Sequence, residues 1–399
     1  MAFRNIFRNR RRSILTGLMM VGGFCMYSFS MAVADGMYGD IIDMFTKNRT
    51  GHVQVHRKGY LKRPSLYQTL EDDGRIEKTV AGTPHVASQV KRVYAPTLAF
   101  AGVKTTAAQI CGVVPEAEAK AMNLDKKVTE GRYLSPAPNE VVIGPGLAEA
   151  LNAGPGSEIA LISQAADGSI ANDLFTVVGV LAKKSSPYDR IACYMKIEDA
   201  QRFLELAGRI HEIALLLDDQ RHARRTAALL ADRLSDPDLE ADPWQVVEAH
   251  FYRAMQADMK GNYVTQFIIM LIVAIGVLNT VLMSILERTR EFGVIRALGA
   301  RPRSVLGMIV LEAAFLSLLA VVLGLAFSLP INYYYSFHGI AIPTPLTWGG
   351  MTFEVMRARI TIRSAVEPAL VTFGAAVLVS VLPALRAARI APVRAMRRH

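Results

Sequence analysis

Four stretches of the chain are each apolar and long enough to cross a bilayer: Ser13 to Ala34, Val264 to Ile285, Val305 to Ile331 and Pro368 to Leu385. At roughly 18 to 27 residues they match the helix length that spans about 30 Å of hydrocarbon. The short segments on one side of them carry arginine and no lysine. Arg4, Arg8, Arg10, Arg11 and Arg12 precede the first stretch. Arg288, Arg290, Arg296, Arg301 and Arg303 separate the second from the third, and Arg386, Arg389, Arg394, Arg397 and Arg398 follow the fourth. Only Glu287 and Glu291 oppose these fifteen cations, so the three segments sum to +13 against +10 for the whole chain. The remainder is therefore net acidic, with 27 basic and 30 acidic groups in residues 35 to 260. The cationic excess is a topological signal and does not call for nucleic acid. By the positive-inside rule the arginine-rich segments face the cytoplasm, which places residues 35–260 and the shorter 332–367 loop outside.

The predicted fold class follows: an α-helical membrane protein with four transmembrane helices and an extracytoplasmic mixed α+β domain inserted between helices 1 and 2. Ala32-Val33-Ala34 after an apolar stretch has the look of a cleavage site, but 22 residues exceed the usual 7 to 15 of a signal-peptide core. The first stretch is read as an anchor. The expected division is a cytoplasmic N-terminus, first helix and stalk (1–46), an external α+β domain (47–242), a stalk and second helix (243–286) and a cytoplasmic helix (287–303). A third helix (304–331), an external loop (332–367) and a fourth helix with a cytoplasmic end (368–399) complete it.

Within the external segment, His52, Gln54 and His56 alternate with Val53 and Val55, the period-two pattern of a strand. Residues four apart on a strand lie roughly 13 Å apart, too far to share one metal ion, so the two histidines read as surface residues. Glu140 to Ile143, Ser157 to Ile162, Phe175 to Leu181, Ile191 to Ile197 and His211 to Leu217 are further strand-length runs. Asp167-Gly168 marks a hairpin turn, and Asp218 and Asp219 are placed to cap a helix running to about Leu234. Cys111 and Cys193 read as two separate buried thiols. Val247, Phe251, Met255 and Met259 recur every four residues, an amphipathic helix expected to continue through Gly261 into the second span as a stalk.

No Gly-x-x-x-x-Gly-Lys-Ser/Thr occurs, so this sequence cannot cradle nucleotide phosphates in the Walker manner. No nucleophile and base constellation stands out, which argues against an enzyme, and no metal site is expected. The informative motif is cytoplasmic: Glu287, Arg288, Thr289, Arg290, Glu291, Phe292, Gly293, Val294, Ile295, Arg296, Ala297, Leu298, Gly299 and Ala300. On a helix, Phe292, Ile295 and Leu298 with Gly299 share an apolar face, and Glu287 with Arg290 and Arg288 with Glu291 are i,i+3 pairs. Gly299 and Pro302 end it. Such a helix either lies on lipid headgroups or docks into a cytoplasmic partner. Glu312 is an acid inside the third span, expected to make a structural bond to a neighbouring helix.

Asn279 to Ala300, reading N-T-V-L-M-S-I-L-E-R-T-R-E-F-G-V-I-R-A-L-G-A, resembles the signature of the FtsX-like and MacB-like ABC-transporter permeases, and Pro383 to Arg397 is similar to that family's C-terminus. Phe3 to Thr16, Thr50 to Tyr60 and Asn139 to Leu181 look most like the Lol-type lipoprotein-releasing branch, LolC and LolE among them. The resemblance implies that Glu287, Arg288, Arg290, Glu291, Phe292, Gly293, Ile295, Arg296, Leu298 and Gly299 form a coupling helix that receives force from a separate LolD-like ATPase. ATP and Mg would then be held by that partner, and no cofactor by this chain. It also implies a second permease copy or paralogue, a LolA-like periplasmic lipoprotein chaperone or another periplasmic partner, contact with membrane lipids, and residence in a bacterial inner membrane. Met20, Phe24 and Met31 on the first span, with Phe267 and Met270 on the second, are expected to wall a lipid cavity, since methionine adapts to irregular ligands. Ser186, Pro187 and Tyr188 are expected to touch chaperone or cargo. Two other family functions stay open: a MacB-type mechanotransmission exporter, and an FtsX-like signalling permease that regulates a cell-wall hydrolase.

Overall fold

The computed structural model describes residues 10–71, 74–182, 189–234, 236–348 and 351–389. They form two compact units, Met1–Asp40 with Met255–Thr344 and Glu354–His399, and Ile41–Ala254 with Pro345–Phe353.

The first unit is built on helices α1 (Arg10–Phe45), α2 (Ala249–Glu287), the short α3 (Thr289–Ala297), α4 (Pro302–His338) and α5 (Ile362–Ala388). The four long ones have the length and apolar composition to span a membrane, where a helix satisfies every backbone polar group internally. Helix α2 passes unbroken through Gly261. Small residues let α4 and α5 approach. Ala313, Ser317, Ala320, Gly324 and Ser328 are buried on α4, and Ser364, Pro368, Thr372, Ala376, Ser380 and Ala384 are buried every fourth residue along α5. This is the small-residue spacing that packs helices where water supplies no hydrophobic drive.

Two of the predicted boundaries move. Helix α4 continues past Ile331 to His338, because Asn332 is itself buried and its amide donates to Ser28 Oγ at 3.1 Å. Helix α5 begins at Ile362 and carries Pro368 inside it, with Thr361 and Ser364 forming a reciprocal capping box. Hydropathy excluded its first turns because they contain Arg363 and Glu367, which pair across one turn at 2.9 Å. The segment expected as a loop is therefore mostly regular, a hairpin of Ile340–Trp348 and Met351–Met356. After it, Arg359 N–H donates to the Ala32 carbonyl at 2.8 Å and Thr361 Oγ1 to Asp35 at 2.7 Å. A Cβ on Gly36 would lie 1.9 Å from the Arg357 carbonyl oxygen, so only glycine admits this approach to α1.

The second unit is mixed α+β. Its strands are β1 (Val53–Arg57), β2 (Leu70–Glu71), β3 (Val86–Ala101), β4 (Lys104–Val113), β5 (Val128–Gly131) and β6 (Glu140–Ile143). They continue as β7 (Glu158–Gln164), β8 (Ile170–Leu181), β9 (Ala192–Lys196), β10 (Arg209–Ile210), β11 (Glu212–Leu217) and β12 (Leu239–Pro243). Ten of them form one sheet in the order β12-β1-β11-β3-β4-β9-β6-β8-β5, with β7 joining β3 to β8. The pairings β3–β4, β4–β9, β9–β6, β6–β8, β8–β7 and β7–β3 close a ring. Closure leaves the six strands of the ring paired on both sides, so the sheet's edges, which would invite pairing with other chains, are confined to β12 and β5, and β6 is buried along its whole length. The long β3–β4 hairpin has no counterpart in the sequence reading. The Asp167-Gly168 turn does: Gly168 sits at φ 89 and Ser169 N–H donates to Asp167 Oδ1 at 2.9 Å.

Cys111 and Cys193 are free and buried. Register explains it: β4 and β9 run parallel with Ile110 opposite Cys193 and Cys111 opposite Tyr194, so the two thiols point to opposite faces. Burial lifts the Cys111 thiol to about 12.

His52 and His56 are not surface residues; both are buried. Strand β1 lies between β11 and β12, the helix Ala223–Leu234 packs against it, and Val53, Gln54, Val55 and His56 are buried in succession, so neither face is wet. His52 Nδ1 accepts the Leu217 N–H at 2.9 Å. His56 Nε2 lies 3.3 Å from Asp242, and although burial pulls its pKa down, the bonds to Asp242 and the Arg57 carbonyl raise it.

His211 is buried in its neutral form. Its Nδ1 accepts the Tyr94 N–H at 3.1 Å and its Nε2 lies 3.2 Å from the Leu66 carbonyl, so a second proton would face a donor. Burial pushes its pKa from 6.5 down to about 4. A depressed histidine contributes stability that is complete above 6.5 and is lost as pH falls from there towards 4, on the order of 3 kcal/mol in all. His56 titrates in the opposite sense, so the readout is a difference: H211Q is expected to flatten the urea stability of the solubilised chain between pH 7 and 4.5. An unchanged slope would refute the assignment.

Candidate functional site

Helix α3 has two sides, and its seat explains both. Glycine at 299, with φ 96, ends it, and Arg301 in extended conformation leads into Pro302 at the first turn of α4. Phe292 is 2 % exposed and packs with Ile285, Val305, Ile309, Ala384 and Ala387, residues of α2, α4 and α5. Gly293 is buried beside it, and Thr289 Oγ1 donates back to the Ile285 carbonyl at 2.8 Å. Arg288 lies over the Phe292 ring at 5.2 Å and donates to Glu291 at 3.0 Å and to Glu312 of α4 at 2.9 Å. Glu312 is thus bonded to a neighbouring helix, as its place in the span predicts. Arg296 Nη1 donates to the Ala388 carbonyl at 2.9 Å, a cation on the negative end of α5.

On the other side no such bond is made among the described residues. Arg290, Val294, Ala297 and Leu298 are exposed, Val294 at 44 % and Leu298 at 83 %. They recur at i, i+4 and i+7 or i+8, one stripe of a helix. Ile295 is half-buried, while Glu287 and Gly299 are exposed at the two ends. The structure therefore separates residues that the sequence grouped. Phe292 was assigned to the docking face with Leu298; it is the anchor that fixes α3 to its own bundle, and Val294, which the site assignment omitted, stands on the outer stripe. Hydrophobic periodicity finds an apolar face without saying which neighbour covers it. On a 100-degree helical step, residues 292 and 298 stand about 120 degrees apart around the helix, and that difference in phase was the available signal.

The five residues assigned to a lipid cavity do not meet in one. Met20 packs with Val273, Val277, Ala320 and Ala376, and Phe24 and Met31 are buried. A Cβ on Gly324 would come within 2.5 Å of the Phe24 ring, so no space lies between α1 and α4 there. Gly23 meets Val273 in the same way, whereas Gly17 and Gly22 face open space. Phe267 is 56 % exposed and Met270 half-buried on α2, among the exposed Val264, Ile268, Leu271, Ile272 and Ile275. Met20, Phe24 and Met31 are core, and Phe267 belongs to an outward apolar face. Ser186, Pro187 and Tyr188 lie outside the described residues.

A model of the MacB-like periplasmic core domain matches residues 13–233, and one of the FtsX-like permease C-terminal matches 263–392. The lipoprotein-releasing system transmembrane protein LolC of Neisseria meningitidis is 22% identical over 330 residues, covering 80% of this chain and 78% of that protein. LolC of Xylella fastidiosa is 27% identical over 251 residues, 60% of this chain and 59% of the relative. The pyoverdine export ATP-binding/permease protein PvdT of Pseudomonas fluorescens is 27% identical over 423 aligned positions, 99% of this chain and 58% of the relative. The chain thus spans less than two thirds of the last two.

Proposed function

Because the chain belongs to the FtsX-like, MacB-like family of ABC-transporter permeases, we propose that it extracts lipoproteins or related lipidic cargo from the inner membrane towards a periplasmic acceptor. Force would come from a separate LolD-like ATPase, which holds ATP and Mg, through α3. The observation that carries this reading is the two-sided seat of α3: an outer stripe of Arg290, Val294 and Leu298 open to a partner, and an inner side tied to α2, α4 and α5. A push on the outer stripe reaches three long helices through Phe292, Arg288 and Arg296. The similarity to LolC over 80% of the chain supports the choice of cargo.

The physics of the cargo sets what the machine must do. Each buried methylene holds a lipid anchor by about 0.8 kcal/mol, so two or three acyl chains amount to tens of kcal/mol. Spontaneous desorption at that cost is too slow to serve, and an apolar acceptor such as a LolA-like chaperone is needed outside. Little of α2's apolar stretch, 17%, is covered within this chain, and a second permease copy or paralogue would cover it and complete an enclosed lipid path.

A second reading, export driven by the external domain, draws on the similarity to PvdT over 99% of the chain. One experiment separates them. Permease and ATPase reconstituted in proteoliposomes with a fluorescent lipoprotein are expected to release it to a soluble carrier only with ATP. Absence of ATP-dependent transfer, with small-molecule or peptide export in the same vesicles, would reject the first reading in favour of the second.

A further inference from the structure

We propose that His85, Asp218 and His222 form a binding site for a divalent transition-metal ion of the zinc class on the external domain. Three separated positions of the chain meet there. His85 directly precedes β3, Asp218 directly follows β11, and His222 closes the 3-10 turn Gln220–His222. Strands β3 and β11 pair antiparallel with Val86 opposite Leu217, and Asp218 N–H donates to the His85 carbonyl at 3.0 Å. The backbone thus sets the first two ligands side by side. The turn that brings the third is itself fixed, because the Asp219 side chain accepts the Arg221 N–H at 2.9 Å and His222 N–H donates to the Asp219 carbonyl at 3.0 Å.

The ligand atoms converge. His85 Nδ1 lies 2.9 Å from Asp218 Oδ2 and His222 Nδ1 lies 3.4 Å from Asp218 Oδ1, and atoms of all three groups lie within 4.8 Å of one another. Ligands bound tetrahedrally at about 2.0–2.1 Å stand about 3.3 Å apart, so small side-chain shifts complete the geometry. Imidazole nitrogens with one carboxylate suit zinc and its neighbours, whereas calcium and magnesium take oxygen alone. The side chains are 43%, 57% and 39% exposed, which leaves a fourth position for water.

A hydrogen-bond account is incomplete. The two imidazoles lie ring on ring, centroids 4.0 Å apart and tilted by 36°, with both Nδ1 atoms turned to the same carboxylate. An exposed carboxylate gains little from a second partner held at the cost of its side-chain entropy. His85 also sits at φ 69, a conformation uncommon outside glycine that persists where the surroundings over-determine it. One shared cation accounts for both rings. The ion would staple the start of β3 to the turn that opens the helix Ala223–Leu234. The second carboxylate and histidine group, His56 with Glu240 and Asp242, lacks the open fourth position: His56 is fully buried, its Nδ1 lies 3.0 Å from the Arg57 carbonyl and its Nε2 lies 3.3 Å from Asp242.

The test uses the full chain purified without a histidine tag, stripped with chelator, and titrated with zinc and with cobalt(II). Wild type is expected to bind one more equivalent of zinc than H85N/H222A and to give the intense visible absorption of tetrahedral cobalt. Each of H85N, H222A and D218N is expected to weaken zinc at least tenfold while the zinc-free form melts as wild type does. Asparagine at 85 keeps the left-handed backbone available, and the exposed H222A gives an independent variant should H85N misfold. Equal zinc bound by wild type and by H222A, or a cobalt spectrum of the hydrated ion in wild type, would overturn the site.

Discussion

Replacing Arg92 by alanine is expected to destabilise the external domain by about 3–5 kcal/mol, enough to leave a substantial share of the chains unfolded there at physiological temperature. Arg92 is 3% exposed, and both of its carboxylate partners are buried as well. Its Nη2 pairs with Glu118 at 2.6 Å and its Nη1 with Glu212 at 3.3 Å, while Nη1 also bonds the Arg49 carbonyl and lies 3.3 Å from Tyr94 Oη. Tyr94 Oη in turn donates to Glu212 at 3.0 Å. Removal of the cation would strand two carboxylates out of water, where an uncompensated charge costs several kcal/mol. The network joins four segments: the turn Thr46–Thr50, the strands β3 and β11, and the helix Pro115–Met122. Lysine is expected to rescue little, since a single ammonium cannot meet Glu118 with two nitrogens and also reach Glu212 and the Arg49 carbonyl. The converse variant is the sharper test. If the loss comes from stranded charge, R92M/E118L/E212L should be more stable than R92A, short of wild type by the bonds that Arg92 makes to the Arg49 carbonyl and Tyr94 Oη makes to Glu212. Thermal unfolding of the solubilised chain, followed by protease susceptibility, measures all three; R92A melting with wild type would show that the carboxylates find other partners.

That network was not legible in the sequence, and the reason is physical. Arg92, Glu118 and Glu212 are three charges among many in a segment whose 27 basic and 30 acidic groups nearly cancel, and only the sheet register brings them together. What was legible depended on one-dimensional signals. Helix length and the one-sided arginines need no knowledge of tertiary contacts, which is why four spans could be placed with only their ends in error. The β3–β4 hairpin carries no such signal: alanines and Pro96 interrupt any alternation, and Pro96 is tolerated although it donates no ladder bond. The alternation at His52 and His56 was real but was read as if one face were wet. An interior strand whose successive residues are all buried has no wet face, and its histidines then serve the core. Met20 and Phe24 were read as a cavity wall for a related reason. A pliable apolar residue on a spanning helix looks the same whether it faces a cavity or fills a joint, and the nearness of Gly324 and Val273 decides for the joint.

The same ambiguity at α3 yields the prediction with the largest functional effect. Leu298→Glu is expected to weaken binding of the ATPase at least thirtyfold and to abolish ATP-driven release, while leaving the melting temperature of the permease nearly unchanged. An apolar side chain 83% exposed at a helix C-terminus costs the free chain little when made acidic, about 0.3–1 kcal/mol from the helix dipole, whereas a hot-spot contact at the centre of an interface is worth 2 kcal/mol or more. A glutamate would add a desolvation penalty in any apolar pocket that receives it. Phe292→Ala should behave in the opposite order. It opens a void among Ile285, Val305, Ile309, Ala384 and Ala387 and removes the ring under Arg288, so about 3–5 kcal/mol of bundle stability is lost first. Binding would fall only as far as α3 loses its seat. Pull-down with the purified ATPase and melting of the permease alone, measured on both variants, separate the two sides of the helix. If Leu298→Glu bound normally and Phe292→Ala alone lost the ATPase without melting earlier, the docking face would be the inner one, and the seat described for α3 would belong to a state other than the one the partner recognises.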